Sequence, residues 1–136
     1  MHRFSRILKK TLTATGLTLG LAACALTAEA ALEGPIPTKG MPTMASFGSD
    51  GCAPCKQMLP VLEKLDKAYE GRAAIRYLNL TQYPELAGYF KITSVPTQIF
   101  YDHTGKEIGW HAGYIDEGSI REALDGMLAD QKKAGE

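Results

Sequence analysis

A pair of cysteines three residues apart, Cys52-Ala53-Pro54-Cys55, constrains the fold of this chain more than any other feature. The pair follows a short apolar segment, 43–47, and a loop with helix-capping residues, and it opens a segment predicted to be a helix over 53–69. The free N–H groups and the positive dipole end of a helix N-terminus stabilise a thiolate. The motif therefore predicts a reactive thiol at the helix start, with a pKa well below the free value of about 8.5, at a strand–loop–helix junction.

The two cysteines are expected to have different roles. Cys52 is predicted to be the more exposed sulfur and the attacking nucleophile. Cys55 lies one turn inside the helix and is predicted to be shielded and to resolve a mixed disulfide, since a spacing of three places both sulfurs on one helix face. Ala53 and Pro54 support the motif, because proline fits the first helical turn without an N–H, and Lys56 adds positive charge.

Two other interpretations of the cysteine pair remain open, a purely structural disulfide and a metal site. With no second cysteine pair and no nearby histidine, Cys52 and Cys55 supply two thiolates, fewer than the four ligands of a structural zinc site. We therefore expect no bound metal and no cofactor other than the redox-active Cys52–Cys55 disulfide itself.

Hydrophobic periodicity predicts four strands and three helices in the order β-α-β-α-β-β-α. Strands are predicted over 43–47, 74–80, 97–101 and 107–112, and helices over 53–69, 84–90 and 116–130. This order predicts an α/β fold in which helices cover both faces of a mixed sheet. Residues 31–42 contain three prolines and two glycines, so they are predicted to be an extended or mobile linker to a domain over 43–131.

The N-terminal residues have the pattern of an export signal. Four basic side chains and no acidic one occupy residues 1–10, and an uncharged, mostly apolar run follows over 11–28. Its apolar part is shorter than the roughly 20 residues that a membrane-spanning helix needs. The whole chain has 15 basic and 15 acidic residues, so no charge excess suggests a nucleic acid partner. Export also predicts a compartment in which disulfides persist.

Two cleavage positions of this signal remain open. The sequence LAAC that ends at Cys24 resembles a bacterial lipobox, in which case the signal peptide is 1–23 and Cys24 carries a lipid. The sequence AEA that ends at Ala30 resembles an ordinary signal peptidase site, in which case the signal peptide is 1–30. Both predict an exported protein of the bacterial periplasm or envelope, and the first adds a lipid anchor through Cys24.

The segments GCAPCKQMLP and TSVPTQIFYDHTGKE resemble the thioredoxin family, and the resemblance covers residues 43–130. Pro60 matches the proline of that family's active-site helix, and Val95-Pro96-Thr97 matches its cis-proline loop. Gly105 and Gly113 match glycines near the last pair of strands. The resemblance implies a minimal four-stranded thioredoxin-like fold, thiol–disulfide exchange at the cysteine pair, and substrate binding at Val95 and Pro96.

Three positions depart from the pattern of that family. The Trp that usually precedes the first cysteine is Gly51, the buried acid six residues before that cysteine is Ser46, and a lysine common in the next strand is Tyr77. The usual proton acceptor for the resolving thiol is therefore missing. We hypothesise that a water bound at Ser46, or the carboxylate of Asp50, replaces it.

Taken as a whole, the domain resembles exported bacterial thioredoxin-like proteins that receive electrons from a membrane thiol reductase. The resemblance implies a monomeric thiol–disulfide oxidoreductase that acts on disulfide-containing exported proteins or on apocytochromes. The Ala-Pro pair between the cysteines is similar to the pair at the same place in reducing thioredoxins, which favours a reductase over an oxidase. A disulfide oxidase or isomerase of the same fold, and a non-enzymatic copper- or metal-binding chaperone, are the alternative functions.

Overall fold

Four strands and three helices occupy residues 32–136, the part of the chain that the computed structural model describes. The strands are β1 (Thr43–Gly48), β2 (Ala74–Asn79), β3 (Thr97–Tyr101) and β4 (Glu107–Ala112), and the helices are α1 (Ala53–Ala68), α2 (Glu85–Tyr89) and α3 (Glu117–Ala134). This is the predicted order of elements. None of the helices within residues 32–136 combines the length and the apolar character that a membrane crossing requires.

The helix bounds agree with the predicted ones to within one residue except at the end of α3, which continues four residues beyond Asp130. Lys132 and Lys133 lie in its last turn, where positive charge interacts favourably with the helix dipole. At the other end the Asp116 carboxylate caps the helix by accepting from the Ser119 N–H at 3.0 Å. These local interactions explain why the charged C-terminal residues are helical.

The four strands form one mixed sheet in the order β2-β1-β3-β4. β1 is parallel to β2 and antiparallel to β3, and β3 is antiparallel to β4. Phe47 near the end of β1 lies opposite Thr97 at the start of β3, and Thr97 lies opposite Ala112 at the end of β4. The segments that follow β1, precede β3 and follow β4 therefore meet at one end of the sheet, which we call the site end.

Helices cover both faces of the sheet, as predicted. One face packs against α1 and α3 through an apolar cluster whose fully buried members include Met44, Met58, Leu62, Leu65, Ile75, Ile120 and Leu124. On the other face, Phe47 and Ile99 pack near α2, and the ring centroids of Phe47 and Phe90 lie 4.9 Å apart. Burial of each large apolar side chain contributes roughly 1.5–3 kcal/mol, so the two clusters hold the sheet between its helices.

Residues 32–42 contain no helix or strand, but they pack against the sheet. Leu32 is 1% exposed and belongs to the cluster beneath α1 and α3. Its carbonyl accepts a hydrogen bond from the Tyr77 N–H of β2 at 3.1 Å, and the Thr38 N–H donates to the Thr43 side chain at 2.9 Å. An apolar side chain and a hydrogen bond to β2 thus hold this segment against the sheet, and the predicted division into an extended or mobile linker and a domain over 43–131 stays a prediction.

β4 is the outer strand on the other side of the sheet and is mostly exposed. Ile108 is 51% exposed and Trp110 is 67% exposed. The register between β3 and β4 shifts between Phe100 and Tyr101. Backbone groups on such an outer strand are open to pairing with another strand, although bulges and charged side chains discourage it.

Candidate active site

The cysteine pair begins α1 at the site end of the sheet. Cys52 is the N-cap residue of this helix, and its sulfur accepts a hydrogen bond from the Cys55 N–H at 3.2 Å. Pro54 lies in the first turn, which contains no acidic residue. The positive end of the helix dipole is therefore not neutralised within its own first turn, and it favours a thiolate at Cys52 once the disulfide is reduced.

Cys52 and Cys55 are joined by a disulfide, and their Cα atoms lie 5.2 Å apart. Cys55 is 1% exposed, whereas Cys52 is partly exposed. Ala53, Pro54 and Lys56 are all exposed. An external thiol or disulfide can thus approach Cys52, while the protein shields Cys55. The structure therefore has the expected difference in exposure, and the assignment of attack to Cys52 and resolution to Cys55 stays a prediction.

The Val95–Pro96 peptide bond is cis and lies directly before β3, at the site end. The Pro96 carbonyl accepts a hydrogen bond from the Gly113 N–H after β4 at 2.7 Å. Val95 is partly exposed, and its backbone makes no hydrogen bond within residues 32–136. An extended polypeptide can pair with such a free backbone. Substrate binding at Val95 and Pro96 remains a prediction that this geometry permits.

A cleft of about 260 Å³ separates the loop after β1 from the loop before β3. It is lined by Ser49, Leu80, Thr81, Ile92, Thr93, Ser94 and Val95. A larger cavity of about 370 Å³ lies along β2 and contains neither cysteine. The smaller cleft also contains neither cysteine, but it lies between Ser49, in the loop that leads into the cysteine pair, and Val95.

The two hypothesised proton acceptors lie in different environments. Ser46 is 1% exposed in β1, opposite Tyr77 on β2 and Gln98 on β3. Asp50 is exposed in the loop after β1, and its carboxylate accepts a hydrogen bond from the Asn79 side chain at 2.6 Å. Asp50 therefore ties the loop before the cysteine pair to the end of β2. Proton acceptance by either group stays a prediction.

Tyr77, which stands where the family often has a lysine, packs over Gly48 at the end of β1. A Cβ atom at Gly48 would lie 2.8 Å from Tyr77 Cε2 and 3.0 Å from Tyr77 Cζ, closer than the ordinary contact distance of 3.4–4 Å. The ring in this place therefore requires glycine at position 48. The sequence marks Tyr77 as a departure from the family, but the contact depends on the register of β1 and β2 and has no local signal.

Gln98 is a buried polar residue that the sequence patterns do not point to. It is the second residue of β3 and is 0% exposed. The one available signal is a long polar side chain between Thr97 and the apolar run Ile99–Tyr101, just after the cis-proline loop. A buried amide requires hydrogen-bond partners, so its contacts bear on how the site end is held together.

The remaining predicted site residue, Cys24, lies outside residues 32–136, as does the predicted signal peptide up to Ala30. Within the described part of the chain, no group of three or more His, Cys, Asp or Glu side chains is arranged to hold a metal ion.

The family profile described as Thioredoxin matches residues 23–126. The chain belongs to the thioredoxin family. A thioredoxin of Chlorobaculum thiosulfatiphilum is 33% identical over 82 residues, which are 60% of this chain and 75% of that protein. A thioredoxin of Staphylococcus aureus is 33% identical over 85 residues, which are 62% of this chain and 81% of that protein. An M-type chloroplastic thioredoxin of Spinacia oleracea is 29% identical over 89 residues, which are 65% of this chain but 49%, about half, of that protein.

A solved structure of a mutant thioredoxin from Halobacterium salinarum superposes with a TM-score of 0.57 and 24% sequence identity, covering 64% of this chain and 74% of that one. At this identity the likeness shows the fold alone, and it confirms the predicted thioredoxin-like fold with its four-stranded mixed sheet. Family membership and the cysteine pair at a helix start together indicate a thiol–disulfide oxidoreductase.

Proposed function

We propose that this protein is a thiol–disulfide oxidoreductase of the bacterial envelope that reduces disulfides in exported proteins. The observation that carries the proposal is the partly exposed Cys52, bonded to a buried Cys55, at the same end of the sheet as the free backbone of Val95. A reductase that acts on proteins needs both an accessible sulfur and a surface that holds the polypeptide next to it.

The first step starts from the reduced protein. The Cys52 thiolate attacks one sulfur of the substrate disulfide, so the substrate S–S bond breaks and a mixed disulfide with Cys52 forms. The other substrate sulfur leaves as a thiolate and takes up a proton. The N-terminus of α1 stabilises the attacking thiolate, and the substrate backbone lies along Val95 and Pro96.

In the second step Cys55 gives up its proton and its thiolate attacks the sulfur of Cys52. The bond between Cys52 and the substrate breaks, the substrate leaves as a thiol, and the Cys52–Cys55 disulfide forms. Two electrons have then passed from the protein to the substrate. A Cα separation of 5.2 Å lets this bond close within one helical turn. We propose a water at Ser46 or the Asp50 carboxylate as the acceptor of the Cys55 proton.

The oxidised protein must be reduced again before the next turnover. Export, which the basic residues 1–10 and the apolar run 11–28 support, separates the protein from cytosolic NADPH-dependent systems. A membrane thiol reductase is therefore the proposed electron donor, and the clients are exported proteins with disulfides or apocytochromes awaiting haem. The electrons travel through the cysteine pair, so the reaction needs no further cofactor.

The reduction potential of the Cys52–Cys55 pair tests the proposed direction. We expect a value near about −270 mV, the thioredoxin range. A value near about −120 mV would instead describe an oxidase whose reduced form is stabilised, and it would overturn the proposal. Titration of the reduced protein with Cu(I) separates the metal-chaperone alternative: tight one-to-one binding without disulfide reductase activity would favour a chaperone.

We propose that a lipid attached to Cys24 anchors the protein to a membrane. If it is lipidated, the wild-type protein should fractionate with membranes and Cys24→Ala should release it. A variant that stays in the membrane fraction would contradict the anchor and leave the soluble periplasmic form, cleaved after Ala30, as the better proposal.

A further inference from the structure

Gln98 places an amide inside the sheet, next to the site end. The side chain is 0% exposed, and its residue lies opposite Ser46 on β1 and His111 on β4. Burial of an amide is unfavourable unless its hydrogen-bonding groups are paired. The buried side chain of Gln98 therefore needs hydrogen-bond partners within the protein.

Two backbone carbonyls are those partners. With the amide oriented so that its nitrogen faces them, it donates to the His111 carbonyl at 3.2 Å and to the Gly113 carbonyl at 3.3 Å. The reverse orientation would aim the amide oxygen at two other oxygens, neither of which can donate. In this orientation the amide oxygen packs against the sulfur of Met58 in α1 at 3.5 Å, and this contact is not a hydrogen bond, because neither atom carries a hydrogen to donate.

The partners of Gln98 belong to the elements that form the site. The Gly113 N–H donates to the Pro96 carbonyl at 2.7 Å, so Gly113 is bonded both to the cis-proline loop and to Gln98. Met58 follows Cys55 by three residues in α1, and each is 1% exposed. One side chain thus contacts the helix that carries the cysteine pair and the residue that holds the cis-proline loop.

We propose that Gln98 is a positioning residue that fixes the Val95–Pro96 segment relative to the Cys52–Cys55 pair. It acts through the Gly113 carbonyl that it bonds, packs against Met58 in α1, and takes no part in the electron transfer. If the Gly113 carbonyl loses its donor, the Gly113–Pro96 contact loses its support, and the backbone at Val95 no longer holds one place at the site end. This inference depends on the proposed function, in which Val95 binds the backbone of a protein substrate.

Comparison of a protein substrate with a small disulfide distinguishes a positioning role of Gln98 from a general effect on stability. Gln98→Met keeps the length of the side chain and removes both N–H donors. The test uses the full chain, expressed with its own N-terminal segment. We expect the KM for a disulfide-containing protein such as insulin to rise about five- to tenfold, the effect of losing one or two hydrogen bonds between the substrate backbone and the Val95 segment. The rate with the small disulfide 5,5′-dithiobis(2-nitrobenzoic acid) and the reduction potential should stay within about twofold and about 10 mV of wild type, because neither needs a docked backbone.

Ile75→Val is the matched control. It removes one buried methylene on β2, away from the cis-proline loop, and should destabilise the protein without changing KM for insulin. An insulin KM that is unchanged in Gln98→Met, that rises equally in Ile75→Val, or that rises together with an equal loss on the small disulfide would overturn the positioning role. A wild-type protein without activity on insulin or any other protein disulfide would instead refute the proposed function.

Amide hydrogen exchange in the wild-type chain covers the case in which Gln98→Met does not fold. The Gly113 N–H should exchange slowly, at a rate like that of the central strands, because Gln98 holds its residue against Pro96. Exchange as fast as that of exposed loop amides would overturn the inference without use of any variant.

Discussion

Replacement of Leu32 by Ala tests whether the segment before β1 is part of the folded unit. Leu32 is 1% exposed beneath α1 and α3, so its truncation removes buried methyl groups and leaves a cavity. Changes of this kind cost about 2–5 kcal/mol of unfolding free energy. Because Leu32 lies outside regular secondary structure, where the backbone can adjust, we expect the lower part of that range, about 2–3 kcal/mol. At roughly 4–8 °C per kcal/mol, Tm should fall by about 8–24 °C.

Urea unfolding followed by far-UV circular dichroism measures this loss in proteins that begin at Ala31. Lys39→Ala is the control, since Lys39 belongs to the same segment and is exposed. It should change the unfolding free energy by less than about 0.5 kcal/mol. If Leu32→Ala matched this control, residues 32–42 would be a linker in solution, and the reasoning from burial would be refuted.

Two further predictions concern polar contacts. Asn79→Ala should lower the unfolding free energy by about 2 kcal/mol, because the buried Asn79 side chain donates a hydrogen bond to the Asp50 carboxylate and accepts one from the Thr81 N–H. A change below about 0.5 kcal/mol in the same urea assay would contradict the contribution of these bonds. Hydrogen bonds from Lys64 and then Arg121 hold the pKa of Glu117 below its ordinary value of 4.5. A carboxylate whose pKa is lowered by folding stabilises the folded state at pH values above its unfolded-state pKa. This stabilisation is lost as the pH falls through the folded-state pKa. The Tm difference between wild type and Glu117→Gln should therefore be present at about pH 7 and disappear in acid, and a difference that persists at about pH 2 would contradict this.

Features with a local signal were predictable from the sequence. The apolar spacing of Met58, Leu62 and Leu65 predicts the buried face of α1, and all three are buried. The bounds of β3 are the predicted ones, since an apolar run follows the restricted backbone of Pro96. The position of the cysteine pair at a helix start also follows from the sequence, because the motif lies between a short apolar strand and an amphipathic segment.

Features that depend on contacts between distant residues were not predictable in the same way. Leu32 stands among prolines and glycines that are typical of a linker, and its burial comes from the distant core beneath α1 and α3. The burial of Gln98 and the contact of Tyr77 with Gly48 depend on strand register. The cis bond before Pro96 followed from the resemblance to a family and not from the residues themselves.

The two edges of the sheet are unequal, and this inequality limits how copies of the protein can associate. At the β2 edge the Leu32 carbonyl already occupies the Tyr77 N–H, so a second chain would have to displace a buried side chain to pair there. Within residues 32–136, β4 has the more open of the two edges. Head-to-tail growth would need two open edges on each molecule. Among the described residues, edge-to-edge pairing is therefore favoured at β4, and a contact of β4 with β4 closes on itself as a twofold pair, which leaves neither β4 edge free for further growth.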